Sequence, residues 1–221
     1  MVREAANPSS GHPYHHGNLR EALIEAGVEL ARIGGPNAVL LRAASRAAGA
    51  SHNAAYRHFA NQEDLLAVVG QRCMSQLGLL MIERMSLVIT RGPVRRAQAR
   101  LEAIGRAYID FARTEPGWFR TAFSAARPHP ADESSAERAH THVADSTHIT
   151  NPYDVLSAQL DDLVEVGVLP KRRRVGAEYA AWSAVHGISS LVLDGPLREL
   201  PEPEIERAIS TVLALIARGL A

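Results

Sequence analysis

Apolar residues recur along most of this chain at intervals of three and four, the spacing of helices that bury one face. Polar caps, glycines and prolines interrupt that spacing and predict where helices start and stop. These positions are Asn18, Gly34-Gly35-Pro36, Gly49, Ser51, Asn61, Gly92-Pro93, Thr114, Pro116, Asn151-Pro152, Gly195-Pro196, Pro201 and Pro203. Since no strand-like alternation extends over more than a few residues, the pattern predicts an all-α fold of about nine helices.

Two polar stretches interrupt the helical pattern. Residues 1–17 are rich in Pro, Ser, Gly and His and predict a flexible arm, whereas residues 126–150 predict a loop with at most one weak helix. A flexible segment does not preorganise metal ligands, so we expect solvated histidines in both stretches and no metal site. The histidines concerned are His12, His15, His16, His140, His142 and His148.

The last two predicted helices, residues 175–194 and 203–219, are apolar on more than one side. Two such helices cannot bury every face within one small helical domain. We therefore predict a homodimer in which they pair with their symmetry mates, with Ala177, Ala181 and Ala184 allowing close approach.

The composition is that of a globular protein, with 46% hydrophobic and 22% charged residues. A single cysteine, Cys73, excludes an internal disulfide framework and favours a cytoplasmic location. No run approaches the ~18 consecutive apolar residues of a membrane span, and the N-terminus lacks the apolar core of a signal peptide. We therefore expect neither membrane insertion nor secretion.

The formal net charge is zero, but the charges are unevenly distributed. No acidic residue occurs between Glu29 and Glu63. The same interval contains Arg32, Arg42, Arg46, His52, Arg57 and His58. This part of the chain is therefore locally positive, as contact with phosphate requires.

Residues 41–59 carry the strongest functional signal, because they predict two short helices around a tight turn. The apolar stripe is Leu41, Ala44, Ala47 and Ala48, the turn residue is Gly49 and the cap of the second helix is Ser51. The second helix, about residues 52–58, begins with small and polar side chains and continues with Tyr56, Arg57 and His58. This order suits a helix-turn-helix, in which base-reading side chains precede phosphate-binding groups.

The same residues resemble the DNA-binding domain of the TetR family of transcriptional regulators. The pattern L-R-x-x-x-R-x-x-G-x-S-x-x-A-x-Y-R-H-F stands at Leu41 to Phe59, and Leu65 and Leu66 follow it. The resemblance implies an N-terminal three-helix DNA-binding domain and a C-terminal helical domain for ligand binding and dimerisation. Two departures predict fewer backbone contacts to DNA: Leu40 replaces the usual Ser or Thr cap, and Gln62 replaces a usual phosphate-binding Lys.

We accordingly divide the chain into an arm (1–17), a DNA-binding domain (18–70) and a ligand-binding and dimerisation domain (71–221). His52 and Asn53 are expected to read bases, because Asn can bond adenine bidentately, and Ala54 leaves room for a thymine methyl group. The full set of predicted DNA-contacting residues is Arg42, Ser51, His52, Asn53, Ala54, Tyr56, Arg57, His58 and Gln62.

A second candidate site lies at Trp182 and His186, four residues apart and so on one helix face, followed by Gly187. The stretch resembles the Trp-His-Gly type of TetR C-terminal domain. Two interpretations remain open: His186 is a core histidine bonded to a backbone carbonyl, with Trp182 filling the core, or both residues contact a ligand.

Aromatic side chains make up only 5% of the chain, yet most fall in helices that must enclose the second core. We therefore predict a ligand pocket there, with His186 as its polar anchor. The predicted lining is Tyr108, Phe111, Trp118, Phe123, Leu160 and Trp182. Because these candidates include no acidic cluster, the expected ligand is a small neutral or anionic apolar molecule.

These features predict a dimeric transcriptional repressor that binds operator DNA and leaves it when a small apolar ligand binds. The competing interpretation is an all-α small-molecule-binding or enzymatic domain with a vestigial helix-turn-helix. Neither a glycine-rich phosphate loop nor a nucleophile or metalloprotease motif occurs, so we expect no enzyme and no cofactor.

Overall fold

The computed structural model describes residues 19–124 and 150–220, and within these ranges the chain is helical without strands. The all-α prediction is therefore confirmed. The helices are α1 (Leu19–Gly34), α2 (Leu41–Ala47), α3 (His52–Tyr56), α4 (Gln62–Ser86), α5 (Pro93–Thr114), α6 (Pro116–Ser124), α7 (Pro152–Glu165), α8 (Ala177–Leu193) and α9 (Glu202–Leu220). The predicted arm, the Asn18 cap, the six loop and arm histidines and residues 126–149 lie outside the described residues.

Three of the predicted helix caps are present. The bonds run from Ala54 N to Ser51 Oγ (3.2 Å), from Asp64 N to Asn61 Oδ1 (2.8 Å) and from Tyr153 N to Asn151 Oδ1 (3.0 Å). The predicted Thr114 cap is wrong: Thr114 is the last residue of α5, and its hydroxyl donates to the carbonyl of Asp110 at 2.9 Å. A hydroxyl in a last helical turn can bond back in this way instead of capping the next helix.

The described helices form two hydrophobic cores that share α4. The N-terminal core comprises Leu23, Ile24, Ala31, Val39, Leu41, Ala44, Ala55, Phe59, Leu65, Val69, Cys73 and Ala122. The C-terminal core joins α5, α7, α8 and α9 to the later part of α4. Along α4 the side chains change core between Cys73 and Leu77, so one continuous helix supports both halves of the molecule.

The α6 helix lies where the two cores meet, and its Trp118 and Phe123 pack against both. Its second residue, Gly117, is buried against the carbonyl end of α1. A Cβ at Gly117 would collide with the carbonyl oxygens of Ala31 and Arg32. Glycine therefore lets the start of α6 touch the backbone of α1 directly.

Side chains reinforce this junction between α1 and α6. Glu115 accepts two hydrogen bonds from Arg32, at 2.8 and 2.6 Å, and the guanidinium of Arg32 lies 5.0 Å from the ring centre of Trp118. Trp118 Nε1 donates to the carbonyl of Val28 at 2.9 Å. Arg32 is thus engaged inside the protein and does not add a free charge to the positive stretch counted in the sequence.

By length and composition, one described helix, Gln62–Ser86, would be long and apolar enough to cross a membrane. This helix is α4, which supplies buried side chains to both cores. Its apolar composition is accounted for by packing on two opposite stretches of the fold.

Candidate functional site: an exposed reading face and an apolar cavity

The helix-turn-helix, residues 41–56, is built on small residues. Gly49 has a φ of 65°, the left-handed value that the turn requires. Ala44 and Ala55 are fully buried, and so bring α2 and α3 close to the N-terminal core. The reading helix is shorter than predicted, because it ends at Tyr56 rather than at residue 58, and Arg57 is its C-cap.

The predicted DNA-contacting side chains are turned to solvent. Arg42, Ser51, His52, Asn53, Tyr56, Arg57, His58 and Gln62 are all exposed, and Ala54 is half-buried. The imidazole of His52 meets the ring of Tyr56 edge-on, with centroids 4.7 Å apart. As the carboxylate-free stretch indicates, this exposed surface has donors and cations but no acid of its own from residue 30 to 62.

One further cation stands beside this surface. The guanidinium of Arg20, at the start of α1, lies 5.4 Å from the ring centre of Phe59. Sequence reasoning missed Arg20, because it lies outside the 41–59 pattern. Its only signal was its position at the N-terminal end of α1, which the fold brings to the end of the helix-turn-helix.

A cavity of about 90 Å³ lies within the C-terminal core, with contributions from α4 to α9. Its lining is Met74, Met81, Leu101, Glu102, Ile104, Gly105, Tyr108, Phe123, Asn151, Pro152, Tyr153, Leu156, Ala181, Trp182, Val185, Leu213, Ile216 and Ala217. Three residues of the predicted pocket, Tyr108, Phe123 and Trp182, are therefore in its wall.

The other residues of the predicted pocket lie elsewhere. Leu160 is fully buried in the core, because α7 presents Tyr153 and Leu156 to the cavity instead. Phe111 stacks on Trp118 at 6.3 Å, at the side of α6 that faces α1. Periodicity identified these residues as inward-facing but could not distinguish core packing from the cavity wall.

Tyr108, Trp182 and His186 form a hydrogen-bonded aromatic triad. Trp182 Nε1 donates to Tyr108 Oη at 3.0 Å, and Tyr108 Oη lies 2.8 Å from His186 Nδ1. An indole N–H can only donate, so Tyr108 accepts from Trp182 and gives its own proton to Nδ1. His186 is thus held by a side-chain hydroxyl, a partner that neither sequence interpretation contained.

Burial fixes the protonation states in this triad. It raises the pKa of the Tyr108 hydroxyl, which therefore keeps its proton as a donor. It lowers the pKa of His186, which favours the neutral ring with an accepting Nδ1. The pairing of a neutral donor with a neutral acceptor is self-consistent.

Two rings of α6 enclose His186. Phe119 stacks on it at 5.5 Å with an interplanar angle of 26°, and Phe123 meets it at 4.7 Å and 64°. Phe123 also lines the cavity, so the side chains that hold His186 connect the cavity wall to α6.

An open apolar groove runs between α8 and α9. It is lined by Ala180, Ala181, Ser183, Ala184, Gly187, Ile188, Leu191, Val212, Leu215, Ile216, Gly219 and Leu220. Leu191 is 43% exposed and Leu215 is 56% exposed. Ala177 and Ala181, predicted to allow close approach between subunits, are instead each only 4% exposed within this one subunit.

The comparison with family models gives two matches. A model described as "Tetracyclin repressor-like, C-terminal domain" matches residues 101–216, just over half of the chain. A model described as "Bacterial regulatory proteins, tetR family" matches residues 23–69, which contain the helix-turn-helix. The comparison with curated protein sequences gives no match.

Solved structures share the fold at low sequence identity. A protein of unknown function from Rhodococcus sp. RHA1 is 22% identical with a TM-score of 0.71, over 96% of this chain and 100% of that one. The transcriptional regulator FadR from Bacillus subtilis in complex with stearoyl-CoA is 14% identical, with a TM-score of 0.60 over 91% and 99%. A TetR family transcription regulator from Marinobacter aquaeolei VT8 is 16% identical, with a TM-score of 0.55 over 90% and 95%.

Proposed function

The chain belongs to the TetR family of bacterial regulatory proteins and is a DNA-binding transcription regulator, and from this premise we propose that it is a dimeric repressor released from its operator by a small, largely apolar effector. The observation that carries the proposal is the pairing of an exposed, acid-free reading face with a separate apolar cavity in the C-terminal core. We place its work in the cytoplasm, where operator DNA is accessible.

The reading face divides into base contacts and phosphate contacts. His52 and Asn53 stand at the N-terminal end of α3 and are proposed to read base edges, with Ala54 close to the groove. Arg42, Tyr56, Arg57, His58 and Gln62 are proposed to bind the backbone. The Ser51 hydroxyl already caps α3, so its contribution to DNA binding is chiefly to position the helix.

The effector site is proposed to be the cavity walled by Tyr108, Phe123 and Trp182. His186 supports that wall through Tyr108 instead of touching the ligand. The sequence Trp182, His186 and Gly187 leads us to assign the C-terminal domain to the Trp-His-Gly type. A regulator of the same fold forms a complex with stearoyl-CoA, which supports a ligand with an apolar body.

The dimer is proposed to form through α8 and α9, which lie within the predicted ranges 175–194 and 203–219. The exposed groove between them supports this, because Leu191 and Leu215 would leave water on pairing with a symmetry mate. Two reading heads then face successive major grooves, about 34 Å apart on B-form DNA.

The proposed switch runs through α6. An effector that displaces Phe123 moves the helix whose first turn packs on α1 through Gly117 and Trp118. Since α1 belongs to the N-terminal core, the displacement reaches the reading head. We retain the division 18–70 and 71–221 on this basis, with α4 continuous across it.

A gel-shift titration of the chain against its own upstream DNA tests the proposal. We expect a specific complex whose affinity falls as salt rises, because phosphate contacts release counterions. Apolar compounds added to the complex should free the DNA. Salt-insensitive or absent binding contradicts the regulator's reading face, whereas binding that no apolar compound weakens contradicts the effector half alone.

A further inference from the structure

One cavity-lining residue carries a charge in the described chain, and that residue is Glu102. We propose that the effector is a lipophilic cation, with its apolar body in the cavity and a protonated nitrogen at the Glu102 carboxylate. This inference rests on the proposed function, because it names the chemical class that the effector site would take. It replaces the neutral or anionic ligand expected from the sequence.

The Glu102 carboxylate is available. Glu102 is exposed at the cavity rim, and within the described residues it makes no hydrogen bond or ion pair. The nearest cation one turn along α5 is committed elsewhere, because Arg106 bonds Asp110 at 3.0 Å and Glu206 at 2.7 Å. A carboxylate left without a protein cation at the mouth of an apolar cavity favours a ligand that supplies one.

The polar groups of the wall leave little for an anion. The Trp182 N–H is donated to Tyr108, and the Tyr108 hydroxyl is donated to His186. The side-chain oxygen of Asn151 caps α7. A carboxylate ligand would therefore find no unspent donor in the triad and would face the like charge of Glu102.

The division of labour sets the size of the effect. Burial of the apolar body provides most of the affinity, and the wall is made almost entirely of aliphatic, thioether and aromatic groups. The charge pair at a half-open rim contributes selectivity of about fivefold, which rising salt reduces. Glu102 is thus a specificity residue for the head group.

Three probes with one body isolate the head group: hexylamine, hexanol and hexanoate. Their dissociation constants for the full chain are measured by calorimetry, and operator release by each is followed in the gel shift. We expect wild type to bind hexylamine about fivefold more tightly than hexanol, with hexanoate the weakest. The Glu102→Gln variant should bind hexylamine and hexanol equally.

A matched control is Glu165→Gln, which removes an exposed carboxylate at the end of α7 that does not line the cavity. It should keep the wild-type order of the three probes. Equal binding of hexylamine and hexanol by wild type, tighter binding of hexanoate, or an amine preference that survives in Glu102→Gln each overturns the inference.

The same titrations separate this inference from the proposed function. If hexanol binds and releases the operator as well as hexylamine, the cavity is an effector site and only the cation preference fails. If none of the three probes binds wild type or changes its operator affinity, the effector site itself fails, and the inference is overturned with it.

Discussion

The two proposed sites of this molecule are built in opposite ways. At the reading face the polar side chains point outward from a base of buried alanines, and none of the predicted DNA contacts except Ala54 is even half-buried. In the C-terminal half the polar atoms of Tyr108, Trp182 and His186 are turned inward and bonded to one another. The accessible surface there is instead the apolar groove of α8 and α9.

This difference teaches what each region can tolerate. Substitutions on the reading face alter DNA contacts with little effect on folding, because surface side chains contribute little to the unfolding free energy. Substitutions in the C-terminal half change assembly, packing or protonation, because its side chains depend on partners in distant helices. The following variants test this contrast in order of expected effect.

The groove gives the largest effect. Leu215→Glu places a charge on the proposed dimer surface and is expected to give monomers with at least about 100-fold weaker operator binding, since two linked heads bind far more tightly than one. Sedimentation velocity and the gel shift measure both. The control is Ala214→Glu, exposed on α9 outside the groove. Ile209 is unsuitable because it is fully buried. A dimeric Leu215→Glu protein would contradict the proposed interface.

The junction between the two regions comes next. Gly117→Ala inserts a methyl group against the carbonyls of Ala31 and Arg32, so α1 and α6 must separate. We expect the free energy of unfolding to fall by about 1–3 kcal/mol in urea titrations. Ser124→Ala, at the exposed end of the same helix, should change it by less than about 0.5 kcal/mol. Equal stability of the two variants would show that the contact yields without cost.

Base reading is tested by Asn53→Ala. Loss of a bidentate contact should relax preference at one position of each half-site by about 1–3 kcal/mol, with unchanged unfolding in urea. Binding to a panel of operators substituted at single base pairs measures it. Uniform weakening across the panel would instead assign Asn53 to the DNA backbone.

Arg57→Ala should act on all sequences alike. If its guanidinium neutralises one phosphate, the slope of log affinity against log salt should become shallower by about 0.9. Titrations at four salt concentrations measure that slope. An unaltered slope together with an unaltered affinity would remove Arg57 from the interface.

The same contrast explains how far the sequence could be read. The helix-turn-helix is local, so Gly49 and the Ser51 cap were identifiable within a few residues and both are present in the structure. The triad joins residues 74 and 78 positions apart, and no local pattern determines that Tyr108 bonds to both Trp182 and His186. Helical periodicity found the inward faces but not the cavity.

Charge was harder to read than periodicity. Arg32 counted as a free cation in the sequence, yet the fold gives it Glu115, 83 residues away. Glu102 was an ordinary solvent-facing helix residue in the sequence, yet it stands at the rim of the cavity. Both errors arise because partners and neighbours of a charge are set by tertiary packing.

The smallest effect concerns the protonation of His186. Burial lowers its pKa below the ordinary value of 6.5, and the rings that face it, from Tyr108, Phe119 and Phe123, carry no charge that would favour protonation. Between the folded and unfolded pKa values the unfolded chain binds the extra proton. This stabilising contribution is therefore complete above about pH 6.5 and is lost as the pH falls through the folded value.

His186→Gln keeps an acceptor for the Tyr108 hydroxyl but does not titrate. Urea unfolding at about pH 7.5 and about pH 5.5 should show wild type losing more stability on acidification than the variant. Histidines elsewhere in the chain are common to both proteins and cancel in the difference. Equal losses would mean that His186 takes up its proton as readily in the folded protein as in the unfolded chain, and the buried neutral triad would then be excluded.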